Sequence, residues 1–266
     1  MDLYIFIVSF MFYSFVGWFY ESTICSYATQ GKFVNRGFLQ GPLCPIYGSG
    51  ALLAVYLLGG IKEPIVLFVV SMLLSSVFEY SVSYAMEVIF HARWWDYSEY
   101  KFNLHGRICL LGTLLFGTGF CLIIYVVQPF INSLLSSYPR LLLQNVSLAF
   151  VIILLADIAF TLNNWISLNK HLRTLLHALD ENAESFMANI AHMIEANRGT
   201  FEHDADGIRI KLKELSLVIK NSELRFFFAF PKLRLYDYES LLQKLDFRNR
   251  LRRVYDKIKE TADIGK

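Results

Sequence analysis

Five long apolar stretches dominate the first 168 positions of the chain. They cover residues 4–20, 43–58, 65–90, 108–131 and 141–168. A helix needs about 20 mainly apolar residues to cross roughly 30 Å of hydrocarbon, and the last three stretches meet that length easily. The second stretch carries Pro45, Gly48 and Gly50 in its first half, which leaves open a re-entrant or broken start. The pattern predicts an all-α integral membrane protein with about five transmembrane helices.

A different pattern begins after residue 168. Apolar residues recur there mostly at spacings of three and four, which is typical of an amphipathic or coiled-coil helix continuing from the fifth span. The members of this stripe are Leu168, Leu172, Leu175, Leu179, Phe186, Ile190 and Met193. A stop is predicted at residues 197–199, and two more helices are expected over about 206–228 and 238–262. The chain therefore divides into a five-span membrane domain, residues 1–168, and a helical, coiled-coil-like tail, residues 169–266.

Composition agrees with this division. Hydrophobic residues make up 55% of the chain and charged residues 18%, whereas a globular chain carries about a quarter charged residues. Residues 1–168 hold 7 Lys and Arg against 8 Asp and Glu, and the tail holds 18 against 15. These values exclude a soluble enzyme with one aqueous core, a disulfide-rich secreted domain and a disordered chain. The net charge of +2 argues against general nucleic-acid binding.

The basic residues of the loops predict the orientation in the membrane, because Lys and Arg concentrate in cytoplasmic loops. The first and third loops hold Lys32, Arg36, Arg93, Lys101 and Arg107, whereas the second and fourth hold only Lys62 and Arg140. The N-terminus is therefore expected outside, and the tail is expected on the cytoplasmic side.

Acidic residues lie within the predicted spans, where a charge is costly and usually faces a partner or a cavity. Glu79, Ser83 and Glu87 follow one another at intervals of four along one face of the third span. Asp157 lies in the fifth span at a similar expected depth, and Glu21 closes the first span. These residues predict an acidic, inward-facing pocket for a cation, a proton or a cationic headgroup. The alternative is structural, with Glu21 or Glu87 paired to an arginine of the third loop.

Two loops on the predicted cytoplasmic side are rich in Gly, aromatic residues and Arg. They are residues 31–50 and 91–112, and they supply candidate gate residues for the pocket. The candidates are Arg36, Gly41, Pro42 and Pro45 in the first loop, and Arg93, Trp94, Trp95, Asp96, Tyr97, Asn103 and Arg107 in the third. The alternative for the aromatic members is a belt at the membrane interface, where Trp and Tyr collect.

The chain shows no catalytic or cofactor motif. Cys25, Cys44, Cys109 and Cys121 have neither a C-x-x-C spacing nor a histidine in a zinc-like register. The phosphate-binding loop, the H-E-x-x-H zinc motif, the G-x-S-x-G elbow and the EF-hand pattern are all missing. We therefore expect no metal, no cofactor and no enzymatic activity in this chain.

Three segments carry a resemblance to a known family. They read FVNRGFLQGPLCPIYGSGA (33–51), EYSVSYAMEVIFHARWWDYSEYKFNLHGRICL (79–110) and LRFFFAFPKL (224–233). Together they resemble the bacterial ABC-transporter type IV (CmpB-like) permease family. The resemblance implies a multi-pass protein of the bacterial inner membrane that acts as a transport permease, with an ATPase on a separate chain. It implies no catalytic residue.

The sequence leaves three functions open. The first is the permease subunit of an ABC-type transporter, in which a chain of this size would form a homo-oligomer to build a pathway. The second is a non-catalytic membrane scaffold or sensor that acts through its tail. The third is a membrane enzyme for lipid headgroups.

Overall fold

The computed structural model describes residues 2–196 and 221–239, and the chain divides into two units. The membrane unit consists of Met1–Leu162 together with Phe228–Arg234, and the tail unit consists of Asn163–Phe227 and Leu235–Lys266. The described residues are mostly helical, and their only strands are two residues long. This confirms the predicted all-α membrane fold.

The elements follow one another with short connections. In chain order they are α1 (Leu3–Tyr20), a π-helical turn (Glu21–Cys25), α2 (Ser26–Gln30), α3 (Pro45–Leu58), α4 (Pro64–Phe90), β1 (Ala92–Arg93), β2 (Asn103–Leu104), β3 (Ile108–Cys109), α5 (Leu110–Leu122), a second π-helical turn (Ile123–Val127), α6 (Gln128–Ser136), α7 (Arg140–Ala196), α8 (Asn221–Ala229), β4 (Arg234–Leu235) and a 3₁₀ turn (Tyr236–Tyr238). The π-helical turns join their neighbouring helices without a break.

Four helical segments are long and apolar enough to cross a membrane. They are Leu3–Gln30, Pro64–Phe90, Leu110–Ser136 and Arg140–Thr174. The third of these begins at Leu110 rather than at residue 108, because Ile108 and Cys109 form strand β3. The first, third, fourth and fifth predicted spans are therefore present as helices.

The predicted second span, residues 43–58, differs from the others. Its helix α3 has 14 residues and measures about 21 Å, which is less than the hydrocarbon thickness of about 30 Å. Proline occupies its first turn, where no backbone N–H is needed. The chain reaches α3 through the irregular segment 31–44, so irregular chain and short helix together replace a continuous span.

The irregular segment starts from a sharp helix end. Gly31 adopts a left-handed conformation, with φ of +67°, immediately after α2. Glycine reaches this region without the steric cost of a Cβ atom. The chain then turns back along α1, and the Cys44 amide donates a hydrogen bond to the Ser14 carbonyl at 2.9 Å. Ser14 lies roughly 24 Å before Gln30 at about 1.5 Å per residue, so α3 begins well inside the unit.

Small residues let the helices of the membrane unit approach closely. Gly48 of α3 faces α1, where an added Cβ would lie 2.7 Å from the Phe10 carbonyl oxygen and would overlap the Ser14 hydroxyl. Between α4 and α5, the Ser76 and Thr113 hydroxyls lie 2.9 Å apart in a hydrogen bond. Small and hydroxyl-bearing residues are typical of helix contacts in membranes.

Apolar clusters of the described residues pack the helices of the membrane unit against one another. One joins α1, α3, α6 and α7 and includes Tyr13, Leu52 and Leu143. Another joins α3, α4 and α5 around Leu67 and Phe120. The last packs Leu39 and Leu43 of the irregular segment against Met11 of α1 and, on α7, against Phe150, Leu154 and Ile158. Segment 31–44 therefore contributes to the core of the unit.

The tail unit contains the continuation of α7. Leu168 and Leu172, predicted as stripe residues, are fully buried. Trp165 packs edge-to-face on Phe226 with ring centroids 5.3 Å apart, and His171 Nδ1 lies 2.8 Å from Glu223 Oε2. The predicted stop at residues 197–199 and most of the two later helices lie outside the described residues. The part of them that is described is α8 and the turn that follows β4.

Gly48→Ala is expected to lower the thermal midpoint of the purified protein in detergent. The added methyl group meets the Phe10 carbonyl, and overpacking of this kind costs about 1–3 kcal/mol. Gly119→Ala on α5 is the matched control, because nothing lies within 4 Å of its added Cβ. The control should keep or raise the midpoint, since alanine favours a helix by up to about 1 kcal/mol over glycine. Equal midpoints for both variants would contradict close α1–α3 packing.

Candidate functional site

The polar centre of the membrane unit is built around segment 31–44, which we call the re-entrant loop. Asp157 of α7 accepts hydrogen bonds from two consecutive loop amides, Gln40 N at 3.0 Å on Oδ1 and Gly41 N at 2.9 Å on Oδ2. The Thr161 hydroxyl also accepts from Gln40 N, at 3.2 Å. An unsatisfied amide inside an apolar bundle is costly. Asp157 therefore stabilises the turn of the loop.

The rest of the loop is tied to α1 and to itself. Asn35 accepts a hydrogen bond from the Trp18 indole at 2.8 Å and donates one to the Gln40 carbonyl at 2.8 Å. The Arg36 amide donates to the Ser22 hydroxyl at 3.1 Å, and the Gly37 amide donates to Asn35 Oδ1 at 3.1 Å. Side chains thus replace the partners that a helix would have supplied.

Glu21 lies in the π-helical turn that joins α1 to α2. It accepts a hydrogen bond of 2.7 Å from the Tyr47 hydroxyl and lies 3.5 Å from Arg36 Nε. The predicted structural pairing of Glu21 therefore exists, but its cation comes from the re-entrant loop and not from the third loop. Turns of π-helix occur frequently at functional sites.

Glu79 lies in the middle of α4 and is 6% exposed. Its carboxylate accepts a hydrogen bond from the hydroxyl of Tyr97, which lies in the loop between α4 and α5. Burial, together with the nearby carboxylates of Glu79 and Glu21, raises the pKa of the Tyr97 hydroxyl well above its ordinary value. Tyr97 therefore stays a hydrogen-bond donor to Glu79.

Glu87 has a structural partner. Its Oε2 lies 2.9 Å from Arg107 Nη1, and the same nitrogen donates to the Ser83 hydroxyl at 3.2 Å. The guanidinium also lies over the rings of Tyr80 and Tyr84, 5.5 Å from each centroid. Glu87 therefore forms an ion pair with an arginine of the third loop, as the structural alternative for this residue stated. Glu79 lies in the same stripe but bonds Tyr97.

Residues 91–109, which we call the hairpin loop, have a defined shape. Strands β2 and β3 pair in antiparallel register, Asn103 with Cys109 and Leu104 with Ile108. The turn between them places both His105 and Gly106 at positive φ, 52° and 65°. Three residues, 105–107, connect the paired strands, and the Arg107 amide donates a hydrogen bond to the Leu104 carbonyl at 3.0 Å, which closes the turn.

Two predicted gate residues shape this hairpin loop. Asn103 accepts from the Gly106 amide at 2.9 Å and donates to the Tyr100 carbonyl at 2.8 Å. The Trp95 indole donates to the Arg107 carbonyl at 3.0 Å. Both side chains bond backbone groups of their own loop.

Trp94 is 2% exposed, so its side chain is buried in the protein and does not face lipid. Its ring packs edge-to-face on Phe38, Phe90 and Phe230, with centroids between 5.0 and 5.5 Å away. The aromatic-belt interpretation is therefore wrong for Trp94. Its cluster joins the re-entrant loop, the end of α4 and the segment Phe228–Arg234.

Asp96 is the ionic centre of the hairpin loop. Its Oδ1 accepts from the Ser98 amide at 2.9 Å and lies 3.8 Å from Arg93 Nη2, while Oδ2 lies 3.3 Å from Arg234 Nη2. Burial raises the pKa of Asp96, but the hydrogen bonds from Ser98 and the charges of Arg93 and Arg234 outweigh it and hold the pKa below its ordinary value. Arg93 also donates to the His105 carbonyl.

The structure groups the acidic candidates in two places. Glu21 and Glu79 both act electrostatically on Tyr97, whereas Asp157 bonds the re-entrant loop. Gly41 lies against Asp157, where an added Cβ would be 2.7 Å from Oδ2. Pro42 is exposed, and Pro45 begins α3.

Residues that the sequence interpretation missed also belong to these networks. Tyr47 bonds Glu21, and Thr161 bonds the same amide as Asp157. Thr161 could have been found, because it follows Asp157 by four positions and shares its helix face. A further polar network lies nearer the start of α1, where the buried Gln128 accepts from the Tyr13 hydroxyl at 2.9 Å. Among the uncharged polar residues of the spans, Ser83 was a predicted site residue, but Tyr13 and Gln128 were not.

The four cysteines are free thiols, and Cys44 and Cys109 are buried. Cys109 accepts a hydrogen bond from the Gly112 amide at the start of α5. Over residues 2–196 and 221–239, no group of three His, Cys, Asp or Glu side chains is placed to hold a metal ion.

The fold defines the class of the protein: an α-helical membrane protein, in which four helical segments of the described residues are long and apolar enough to cross a membrane. The family described as "Putative ABC-transporter type IV" matches residues 8–162. The chain therefore belongs to this family, which confirms the resemblance. The matched region contains the re-entrant loop, α4 and the hairpin loop. No curated protein and no solved structure matches the chain.

Asp157→Ala is expected to release the re-entrant loop. The Gly41 amide then has no acceptor and Gln40 keeps only Thr161, and each unsatisfied buried amide costs about 1–3 kcal/mol. Cys44, buried at the end of the loop, should then react faster with a thiol reagent, as resolved by peptide mass spectrometry. Asp2→Ala, which removes an exposed carboxylate at the start of α1, should leave the Cys44 rate unchanged. An unchanged rate in Asp157→Ala would show that Asp157 does not hold the loop.

Asp96 is expected to make the thermal stability of the protein depend on pH in the acidic range. Its folded pKa lies below the ordinary value of 3.8, so its contribution is fully present above that pH and is lost as pH falls through the folded pKa. The thermal midpoint of the wild type should exceed that of Asp96→Asn at pH 6, and the difference should shrink below about pH 4. A constant difference down to pH 2 would contradict this role.

Proposed function

We propose that the chain is the permease subunit of an ABC-type transporter and that its pathway passes Glu79. The observation that carries the proposal is a carboxylate, almost fully buried in a span, whose hydrogen-bond partner is a neutral tyrosine. The segments Leu3–Gln30, Pro64–Phe90 and Leu110–Ser136 contain no Lys or Arg. A charge in this position is costly for the fold, and such residues usually mark an ion, proton or substrate pathway.

The contrast between Glu79 and Glu87 supports this role. Glu87 is neutralised by Arg107 at 2.9 Å, so its contribution to the structure explains its presence. Glu79 has the Tyr97 hydroxyl, which donates one hydrogen bond but brings no positive charge. A proton or a cation at Glu79 would supply the missing charge, and the ring of Tyr97 would suit an organic cation. Glu79 is therefore the proposed binding carboxylate, with Ser83 beside it on α4.

The broken crossing gives independent support. Transporters commonly place their substrate and ion sites where a membrane helix is discontinuous, because unwound backbone there lines a cavity. In this chain the re-entrant loop and α3 form such a discontinuous crossing, and Tyr47 of α3 bonds Glu21 at 2.7 Å. Glu21 and Glu79 are thus the proposed acidic lining, with the re-entrant and hairpin loops as the gate, whereas Asp157 holds the re-entrant loop in place.

The proposal requires partners. The chain has no phosphate-binding loop for ATP, so hydrolysis belongs to a separate ATPase subunit. A second copy of the chain would complete the pathway. The complex would lie in a bacterial inner membrane with the tail in the cytoplasm. The alternative role as a scaffold depends on the tail, most of which lies outside the described residues.

Purification of the tagged protein from its native host in a mild detergent tests this function. We expect an ATP-hydrolysing subunit to accompany it in a fixed ratio, as identified by mass spectrometry and an ATPase assay. A homo-oligomer without such a subunit would contradict the permease assignment.

Glu79→Gln tests the pathway within the purified complex. Glutamine keeps the size and hydrogen bonding of the side chain but cannot become charged. ATP hydrolysis in proteoliposomes should fall at least about tenfold if charge at Glu79 contributes roughly 1.4 kcal/mol to the coupled step. Glu63→Gln, at an exposed position before α4, is the matched control and should retain the wild-type rate. Equal rates for the two variants would rule out Glu79 as the pathway carboxylate.

A further inference from the structure

Residues 228–234, which we call the strap, fold against the hairpin loop although they lie far from it in sequence. Phe230 packs edge-to-face on Trp94 with ring centroids 5.0 Å apart. The Phe228 carbonyl accepts a hydrogen bond from the Gln30 side chain at 3.4 Å. Ala229 and Leu233 are fully buried. The strap is therefore a packed part of the membrane unit.

Charged contacts join the strap to the hairpin loop. Lys232 Nζ lies 2.6 Å from Glu99 Oε2 and donates to the Asp96 carbonyl at 3.2 Å. Arg234 Nη2 lies 3.3 Å from Asp96 Oδ2. The side chains of Lys232, Glu99 and Arg234 are 42%, 80% and 53% exposed. The Lys232–Glu99 pair is exposed on both sides and contributes little to stability, whereas Arg234 pairs with Asp96, which is only 7% exposed. The charged hold of the strap on Asp96 therefore depends mainly on Arg234.

The hairpin loop connects the strap to Glu79 through neighbouring residues. Asp96 bonds the strap, and the next residue, Tyr97, bonds Glu79. The Tyr97 amide also donates to the Gly106 carbonyl at 2.8 Å, and the Asp96 side chain bonds Ser98. A displacement of Asp96 therefore moves the residue whose hydroxyl covers the Glu79 carboxylate.

We propose that the strap is a latch that holds Tyr97 on Glu79 and that its release exposes the Glu79 carboxylate. The residues on both sides of the strap belong to the tail unit, so a partner that binds the tail would act on the latch through the chain itself. The role of the latch as a transport gate rests on the proposed function. The control of Glu79 exposure by the strap does not rest on that function.

A hydrophobic carbodiimide measures that exposure directly, because it reacts with protonated carboxyl groups in apolar surroundings. The full-length protein in lipid nanodiscs is treated with dicyclohexylcarbodiimide, and the modified glutamates are quantified by peptide mass spectrometry. The latch variant is Lys232→Gln with Arg234→Gln. Its matched control is Lys62→Gln with Lys101→Gln, which removes two exposed basic residues outside the strap contact.

Glu79 of the latch variant should be modified at least about threefold faster than Glu79 of the wild type, because loss of the charged strap contacts shifts the local opening equilibrium. The control variant should match the wild type. Phe230→Leu provides a second variant that keeps an apolar side chain but removes the ring contact with Trp94, and it should also accelerate modification. Size-exclusion profiles identify any variant that fails to fold.

Equal Glu79 rates in the wild type, the folded latch variant and Phe230→Leu would overturn the proposal. A rate increase in the control variant as large as in the latch variant would overturn it as well. The assay needs neither an ATPase subunit nor a transported substrate. Failure of the permease assignment would therefore leave this result intact, and failure of the latch would leave the permease assignment untouched.

Discussion

The structure of the membrane unit depends on satisfying the backbone of the re-entrant loop. Irregular chain inside an apolar bundle loses water as a hydrogen-bond partner, and each unpaired amide or carbonyl is costly there. At the turn of the loop, Asp157 accepts hydrogen bonds from both the Gln40 and the Gly41 amide and so satisfies them. Asn35 donates a hydrogen bond to the Gln40 carbonyl of the loop. The Ser14 carbonyl accepts one from the Cys44 amide, which is the last amide before α3. The position of α3, and with it that of Tyr47 beside Glu21, follows from these bonds.

The two carboxylates of α4 show how similar residues take different roles within eight positions. Glu87 meets a guanidinium and stabilises the end of the helix against the hairpin loop. Glu79 meets a tyrosine hydroxyl, so its charge is not neutralised by the fold. Retaining an uncompensated carboxylate at that depth is the kind of local cost that functional sites carry. The hairpin loop has a defined shape beside Glu79, because its turn, Asn103 and Asp96 all form hydrogen bonds within it.

Several parts of the site followed from the sequence alone. The polar positions of α4 were predictable from their four-residue spacing, and the structural pairing of Glu87 with an arginine of the third loop was among the stated alternatives. Asp157 was singled out as an unusual residue, but its partners were not predictable. They are backbone amides more than 110 positions away. No pattern of side chains in the sequence indicates which backbone amide will donate to a carboxylate. Trp94 was expected either in a lipid belt or in a lid, and only its packing on Phe38, Phe90 and Phe230 excludes the belt.

The sequence by itself determined the class of fold, because a helix that crosses a membrane must be long and apolar, and both properties can be read directly along the chain. It also left open a re-entrant or broken start of the second apolar stretch, since Pro45, Gly48 and Gly50 lie in its first half. Only the tertiary structure decided which polar groups meet: Asp157 with the re-entrant loop, Glu79 with Tyr97, and Asp96 with Arg234. Such contacts join residues distant in sequence, and their formation depends on how the helices pack in three dimensions. Local spacing carries no record of that packing.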